Sequence, residues 1–197
     1  QRRRLGSFRA MELSIVTTMY NMAGQLAEFC ERIGRCAEQL TGDYEIVLVN
    51  DGSPDNSRDL ALKLVAANPR DVLVDLSRNF GHHQAMMAGL EQARGERVFL
   101  IDCDLEEEPE LLAEFHRRFT SEGDCDVVYG YQTRRKGSGF ERFSGWLFYK
   151  LINLLSDVEF VENPLTARLM SRRYVDALLR YRERELVIGG IWVLAGF

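Results

Sequence analysis

Along residues 13–130, short apolar runs alternate with segments whose apolar positions recur every three or four residues. Leu13-Ser-Ile-Val-Thr-Thr reads as a first strand. Leu26, Phe29, Cys30, Ile33, Ala37 and Leu40 then trace one face of a helix that stops at Gly42. Tyr44–Asn50 predicts a second strand, Ser57–Ala67 a second helix closed near Asn68-Pro69, and Val72–Leu76 a third strand. His82–Arg94 predicts a third helix ended by Gly95, and Arg97–Asp102 a fourth strand. Pro109, a residue suited to the first position of a helix, precedes a stripe of Leu111, Leu112, Phe115 and Phe119, and Asp126–Gly130 predicts a fifth strand. Strands nearly continuous in apolar residues, alternating with helices, predict an α/β domain with a mostly parallel central sheet and helices on both faces.

The polar motifs fall where this sheet would bind a ligand, beyond the carboxyl ends of its strands. Tyr20-Asn21 follows the first strand, Asn50-Asp51-Gly52-Ser53 the second, Ser77-Arg78-Asn79 the third and Asp102-Cys-Asp104 the fourth. Asn50–Asp55 also reads as a plain turn, since each of its residues is a turn former. As a site, Asp51 would accept hydrogen bonds from a base or ribose, and Gly52 would let the ligand approach.

The fourth strand ends in five carboxylates within Asp102–Glu108. Like charges so close either splay into water or surround a cation. Carboxylates one residue apart on an extended segment point the same way. Asp102 and Asp104 therefore suit Mg²⁺ or Mn²⁺, with phosphate oxygens and water as remaining ligands, and Glu106 could complete the set. Glu107 and Glu108 read as favourable charge at the start of the next helix. His82 and His83 open a helix after Gly81, where they could meet an anion, but they read more simply as surface histidines.

The chain has 197 residues and 46% apolar content, enough for one well-buried domain. No apolar run approaches the roughly 18–20 residues needed to cross a bilayer. Residues 1–10, QRRRLGSFRA, form a basic tail or an expression-derived leader and lack the apolar centre of a signal peptide. Cys30, Cys36, Cys103 and Cys125 lie in apolar segments without Cys-x-x-Cys spacing and read as reduced thiols, which favours the cytosol. The net charge of −5 is unevenly distributed: Arg134–Lys150 holds five basic residues and one acid, and Arg168–Arg184 six and two. The C-terminal third could face a phosphate or a membrane surface, or could carry solvated helix faces. Within Gly139–Ser156, Phe140, Phe143, Leu147, Leu151 and Leu154 form a helical seam flanked by basic residues. That seam reads equally as an interfacial membrane helix or as a helix packed on protein.

In combination, Tyr20-Asn21, Val49-Asn-Asp-Gly-Ser-x-Asp55, Leu76-Ser-Arg-Asn-Phe-Gly81, Ala88-Gly-Leu, Ile101-Asp-x-Asp-Leu-x-x-x-Pro-Glu110 and Arg168-Leu-Met-Ser-Arg resemble the family 2 glycosyltransferases. The chain looks closest to the polyprenyl-phosphate branch, of the dolichyl-phosphate mannosyltransferase and undecaprenyl-phosphate sugar transferase type. The resemblance covers about residues 12–197. It implies a GT-A (Rossmann-like) nucleotide-sugar-binding fold over residues 11–197, a Mg²⁺ or Mn²⁺ cofactor, and inverting transfer of a hexosyl group from a nucleoside diphosphate sugar. Residues 134–197 would face the acceptor and the membrane, with the chain truncated before membrane helices that many relatives carry. The enzyme would then sit on the cytoplasmic side of the membrane, peripheral or anchored by segments absent from this chain. Nucleic acid is not an expected partner; a homo-oligomer is left open.

Carried over residue by residue, Thr17, Tyr20, Asn21, Asp51, Ser53 and Asp102 would hold the nucleotide sugar. Asp104 and Glu106, with Asp102, would hold the metal. Arg168 would meet the donor diphosphate, making Asp102, Asp104 and Arg168 the catalytic set. Arg134, Arg142 and Ser144 would bind the acceptor phosphate. The chain departs from the family at Met22, where glutamate is usual, at Glu106, where glutamine is common, and at Ala167, where many relatives carry an acidic or aromatic residue.

The acceptor follows from a chemical argument. A sugar hydroxyl needs a base to take its proton, often supplied in relatives by a Glu-Asp dipeptide, and this chain has none. A lipid phosphate is already anionic and needs only positioning, which arginines provide. A polyprenyl phosphate is therefore the expected acceptor. The alternatives are a sugar-hydroxyl acceptor in surface-polysaccharide synthesis, with Glu162 or Asp176 as base, and a non-catalytic nucleotide-sugar-binding protein. A haloacid-dehalogenase-like phosphatase is disfavoured because its Asp-x-Asp would have to follow the first strand. A P-loop enzyme is disfavoured by the lack of Gly-Lys-Ser/Thr.

Overall fold

The computed structural model describes residues 11–131, 164–181 and 192. Strand β1 (Leu13–Met19), helix α1 (Leu26–Leu40), β2 (Tyr44–Asn50), α2 (Ser57–Ala67), β3 (Asp71–Asp75), α3 (His82–Gln92) and β4 (Arg97–Leu100) alternate as the apolar pattern predicts. They are followed by α4 (Leu111–Ser121), β5 (Val127–Tyr131), β6 (Pro164–Ser171) and α5 (Arg172–Leu178).

The sheet has six strands in the order β3-β2-β1-β4-β6-β5. The pairs β3–β2, β2–β1 and β1–β4 are parallel. β6 runs antiparallel to both β4 and β5. β5, foreseen as the next strand after β4, is therefore an edge strand, and β6 separates it from β4. The chain steps outward from β1 through β2 to β3 and then returns to the other side of β1 for β4. That reversal opens a crevice between the carboxyl ends of β1 and β4, the place where such sheets bind ligands.

β1 and β2 are buried along their whole length because helices cover both faces. On one face Ile15, Ile46, Phe99 and Leu169 pack with Phe29 and Ile33 of α1 and with Leu112 and Phe115 of α4. On the other, Val16, Val47, Val98 and Met170 pack with Met86 and Leu90 of α3 and with Tyr174 and Val175 of α5. α3 lies close to the sheet: a Cβ on Gly89 would fall 2.5 Å from Val16 Cγ1. This close approach places the start of α3 beside the crevice. The four cysteines are unpaired, and Cys30, Cys36 and Cys103 are buried.

Candidate functional site

An open pocket of about 260 Å³ occupies the crevice. Its wall is built by Thr18, Met19, Tyr20 and Met22 from the end of β1, by Asp51 after β2, and by Asn79 and His82 around the start of α3. Asp102, Cys103 and Asp104 after β4 complete it. Four strand-end motifs separated by tens of residues in sequence thus meet in one cavity.

The loop after β1 is held by the Asn50–Ser57 segment. Asn21 adopts φ 60°, a left-handed conformation that asparagine tolerates. Its amide donates to Ser53 Oγ at 3.2 Å. The Met22 amide donates to Ser57 Oγ and the Ala23 amide to Asp55 Oδ2. Asp55 also accepts from the Ser57 amide and hydroxyl. Although burial raises the Asp55 pKa, these hydrogen bonds outweigh it and bring the carboxyl below its ordinary value. Ser53 and Asn21 therefore shape the turn that presents Tyr20, half-exposed at the rim. Met22 adds an apolar side chain to the pocket wall.

Asp51 is 3% exposed. Its Oδ1 accepts from the Phe80 amide at 2.7 Å and its Oδ2 from the Gly81 amide at 3.1 Å. Each oxygen keeps a further lone pair, so the carboxylate can fix the β3–α3 loop and still accept from a ligand. Gly52 is required beside it. It has φ +65°, and a Cβ there would lie 2.5 Å from the backbone of Arg78 and Asn79.

At the acidic tip, Asp102 and Asp104 both face the pocket. Burial raises the Asp102 pKa and Asp104 adds to the effect, against opposing contributions from His82 and a hydrogen bond with Thr166. The Glu106 amide donates to Asp104 Oδ1 at 2.9 Å, closing a tight turn around Leu105 at φ 64°. A left-handed leucine is strained, by about 1–2 kcal/mol, and such strain concentrates at functional tips. The Glu106 side chain is exposed and does not line the pocket. Glu107, read from sequence as helix-start charge, instead accepts from the Thr166 and Ala167 amides of β6 at 2.9 and 2.8 Å. Burial raises its pKa against those two hydrogen bonds.

Among the described residues no group of three or more His, Cys, Asp or Glu side chains converges. Two hard carboxylates on one wall, the inner one destabilised as an anion, fit a divalent ion that keeps waters and takes its remaining ligands from a phosphate. That donor set suits Mg²⁺ or Mn²⁺ and poorly suits Zn²⁺.

Other expected residues lie apart from the pocket. Thr17 is fully buried beside the Cys103 thiol. Arg168 is 2% exposed and points to the α3–α5 face, where its guanidinium donates to the Thr166 and Leu165 carbonyls and lies over the Trp192 ring. Burial lowers its pKa to about 9. Arg134, Arg142, Ser144, the 139–156 seam and the basic tail fall outside the described residues. His82 is the wall residue that the sequence reading set aside. Its position just beyond the carboxyl end of β3, on the same sheet edge as Asp102, is the signal that could have found it.

Residues 14–179 match the family described as glycosyl transferase family 2. A Mycobacterium tuberculosis protein carried under the general name of glycosyltransferase is 46% identical over 95% of this chain and 54% of its own length. An undecaprenyl-phosphate 4-deoxy-4-formamido-L-arabinose transferase of Pseudomonas fluorescens is 36% identical over 89% of this chain and 51% of its own. The chain thus spans about half the length of these relatives. Among solved structures, a mannosyltransferase of Pyrobaculum calidifontis in complex with GDP-Man and Mn²⁺ superposes with a TM-score of 0.57 at 18% identity, covering 87% of this chain and 47% of that one. With the strand order, the switch-point pocket and the family match in agreement, the chain belongs to glycosyl transferase family 2 and has the GT-A fold of its structural neighbours.

Proposed function

We propose that this domain transfers a sugar, with inversion, from a nucleoside diphosphate sugar to a polyprenyl phosphate at a membrane surface. The observation that carries the reading is the convergence of Asp51, Asp102 and Asp104 on one pocket at the β1/β4 switch point. Tyr20, at the rim, and Asp51 hold the base and ribose. Asp102 and Asp104 hold Mg²⁺ or Mn²⁺ against the diphosphate. When bound, that ion offsets the negative charge developing on the departing diphosphate.

His82 and Cys103 both line the pocket, but the Cys103 thiol donates to the Thr18 carbonyl and burial raises its pKa, so it is not an activated nucleophile. The missing Glu-Asp base, the basic C-terminal third and a relative named for undecaprenyl phosphate support the lipid-phosphate acceptor. Among the described residues no helix is long and apolar enough to cross a membrane. Residues 134–197 would face the acceptor and the bilayer, with Arg134, Arg142 and Ser144 on the acceptor phosphate. Arg168, remote from the pocket lining, supports the tip from behind by holding the start of β6.

The test is a donor screen with Mn²⁺ and a short-chain polyprenyl phosphate, comparing wild type with Asp104→Ala. Metal-dependent transfer to the lipid phosphate, lost in the variant, is expected. Transfer to a free sugar but not to the lipid phosphate would overturn the acceptor assignment.

A further inference from the structure

We infer that His82 is a positioning residue for Asp102, fixed in one tautomer by Thr18; the inference deepens the proposed function and rests on it for what Asp102 faces. His82 Nε2 lies 3.5 Å from Asp102 Oδ1, and His82 Nδ1 lies 3.1 Å from Thr18 Oγ1. An ionised carboxylate only accepts hydrogen bonds, so the ring nitrogen that faces it carries the proton. In a neutral ring Nδ1 is then an acceptor, and the Thr18 hydroxyl donates to it. The order of donation runs from Thr18 through His82 to Asp102.

This chain ties together the three elements that meet at the crevice. Thr18 belongs to β1, His82 begins α3, and Asp102 follows β4. The backbone that carries Asp102 is held as well, because Glu107 further along the same loop accepts from the Thr166 and Ala167 amides. With His82 beside it, the Asp102 carboxylate is biased towards one orientation before a ligand arrives. Groups that orient a metal-facing carboxylate in this way affect affinity by about 10–100-fold when removed.

Two measurements on the 197-residue chain test the inference. The first is long-range ¹H–¹⁵N NMR of the His82 ring in the ligand-free protein at one fixed pH. The expected result is a protonated Nε2 and a bare Nδ1 in wild type, with mixed tautomers in Thr18→Val. A wild-type ring protonated on Nδ1 alone would overturn the inference.

The second is calorimetric binding of UDP or GDP with Mn²⁺, after thermal melts have confirmed that each variant folds. His82→Ala and Thr18→Val should each weaken Mn²⁺-dependent nucleotide binding by at least about 10-fold. His82→Gln, which retains an N–H donor at similar reach, should recover most of that loss. Thr18→Val should add nothing in a His82→Ala background, because the tether is already cut. Unchanged binding in His82→Ala, or a His82→Gln variant as weak as the alanine, would overturn the positioning role. Should His82→Ala not fold, the comparison of His82→Gln with Thr18→Val decides. A wild type that takes up neither manganese nor nucleotide would overturn the proposed function instead, while the tautomer measured without ligand still decides the geometry.

Discussion

The carboxylate of Glu107 accepts a hydrogen bond from the backbone amide of Ala167 at 2.8 Å, and so fastens the acidic tip after β4 to the start of β6. A second bond from the Thr166 amide completes the clamp. Glu107 lies three residues after Asp104, so the clamp bears on the segment that forms the pocket wall. Removing it should act on both stability and chemistry. Glu107→Ala strands two backbone amides and is expected to cost about 2–4 kcal/mol of unfolding free energy, with Glu107→Gln costing less. Denaturant unfolding of the two variants checks the order.

Asp104 is held differently. It accepts a hydrogen bond from the Glu106 amide in an exposed turn, so little of the fold depends on it. Asp104→Ala should cost under about 1 kcal/mol of stability yet lower metal-dependent transfer by at least about 100-fold. A thermal melt and a transfer assay on the same preparation separate the two effects.

Gly52 has no tolerance for a side chain. Its φ of +65° disfavours an L residue, and the backbone of Arg78 and Asn79 occupies the space of a Cβ. Gly52→Ala is expected to destabilise the domain by at least about 2 kcal/mol and to weaken nucleotide binding, since the same loops carry Asp51 and Asn79. Nucleotide calorimetry at a temperature where the variant is folded reads the second effect.

Asp71, at the start of β3, sets a pH dependence of stability. Burial pushes its carboxyl from the ordinary 3.8 up to about 6. The native state therefore holds this proton more tightly than the unfolded chain. Its contribution is fully present below about pH 4 and is lost as the pH rises to 6 and above. Asp71→Asn keeps an acceptor for the Asn68 side chain, which bonds Asp71 at 2.9 Å. The variant should be more stable than wild type at pH 7 by about 1–3 kcal/mol and equal to it near pH 4. Urea unfolding at the two pH values checks the sign.

The parallel half of the sheet was legible because its strands are buried on both faces and therefore read as unbroken apolar runs. Val47, Leu48 and Val49 leave no polar position for a different period to claim. β6 was not legible. Pro164–Ser171 carries Arg168 at its centre, and nothing local shows that carbonyls and an indole will shelter that guanidinium. The same arginine, which the family resemblance implies would meet the donor diphosphate, is 2% exposed and is not among the residues lining the pocket. Asp51, Asp102 and Asp104 were legible because each directly follows an apolar run at the same edge of the sheet. The part of Glu107 was hidden, since its partners lie 59 and 60 residues away and are main-chain amides common to every residue type. His82 is exposed at the helix start, as a surface histidine would be, and what local sequence could not show is that the end of β4 brings Asp102 beside it.

Tyr131, at the end of edge strand β5, is registered against Pro164, at the beginning of β6. The two ends of the intervening stretch therefore lie opposite one another across the β5–β6 pair. Closing an excursion whose ends are already adjacent costs only logarithmically more as it grows. Evolution could therefore lengthen, shorten or replace that stretch without disturbing a single backbone pairing of the parallel half of the sheet. Such an arrangement lets one sheet be fitted with many different insertions between its last two strands.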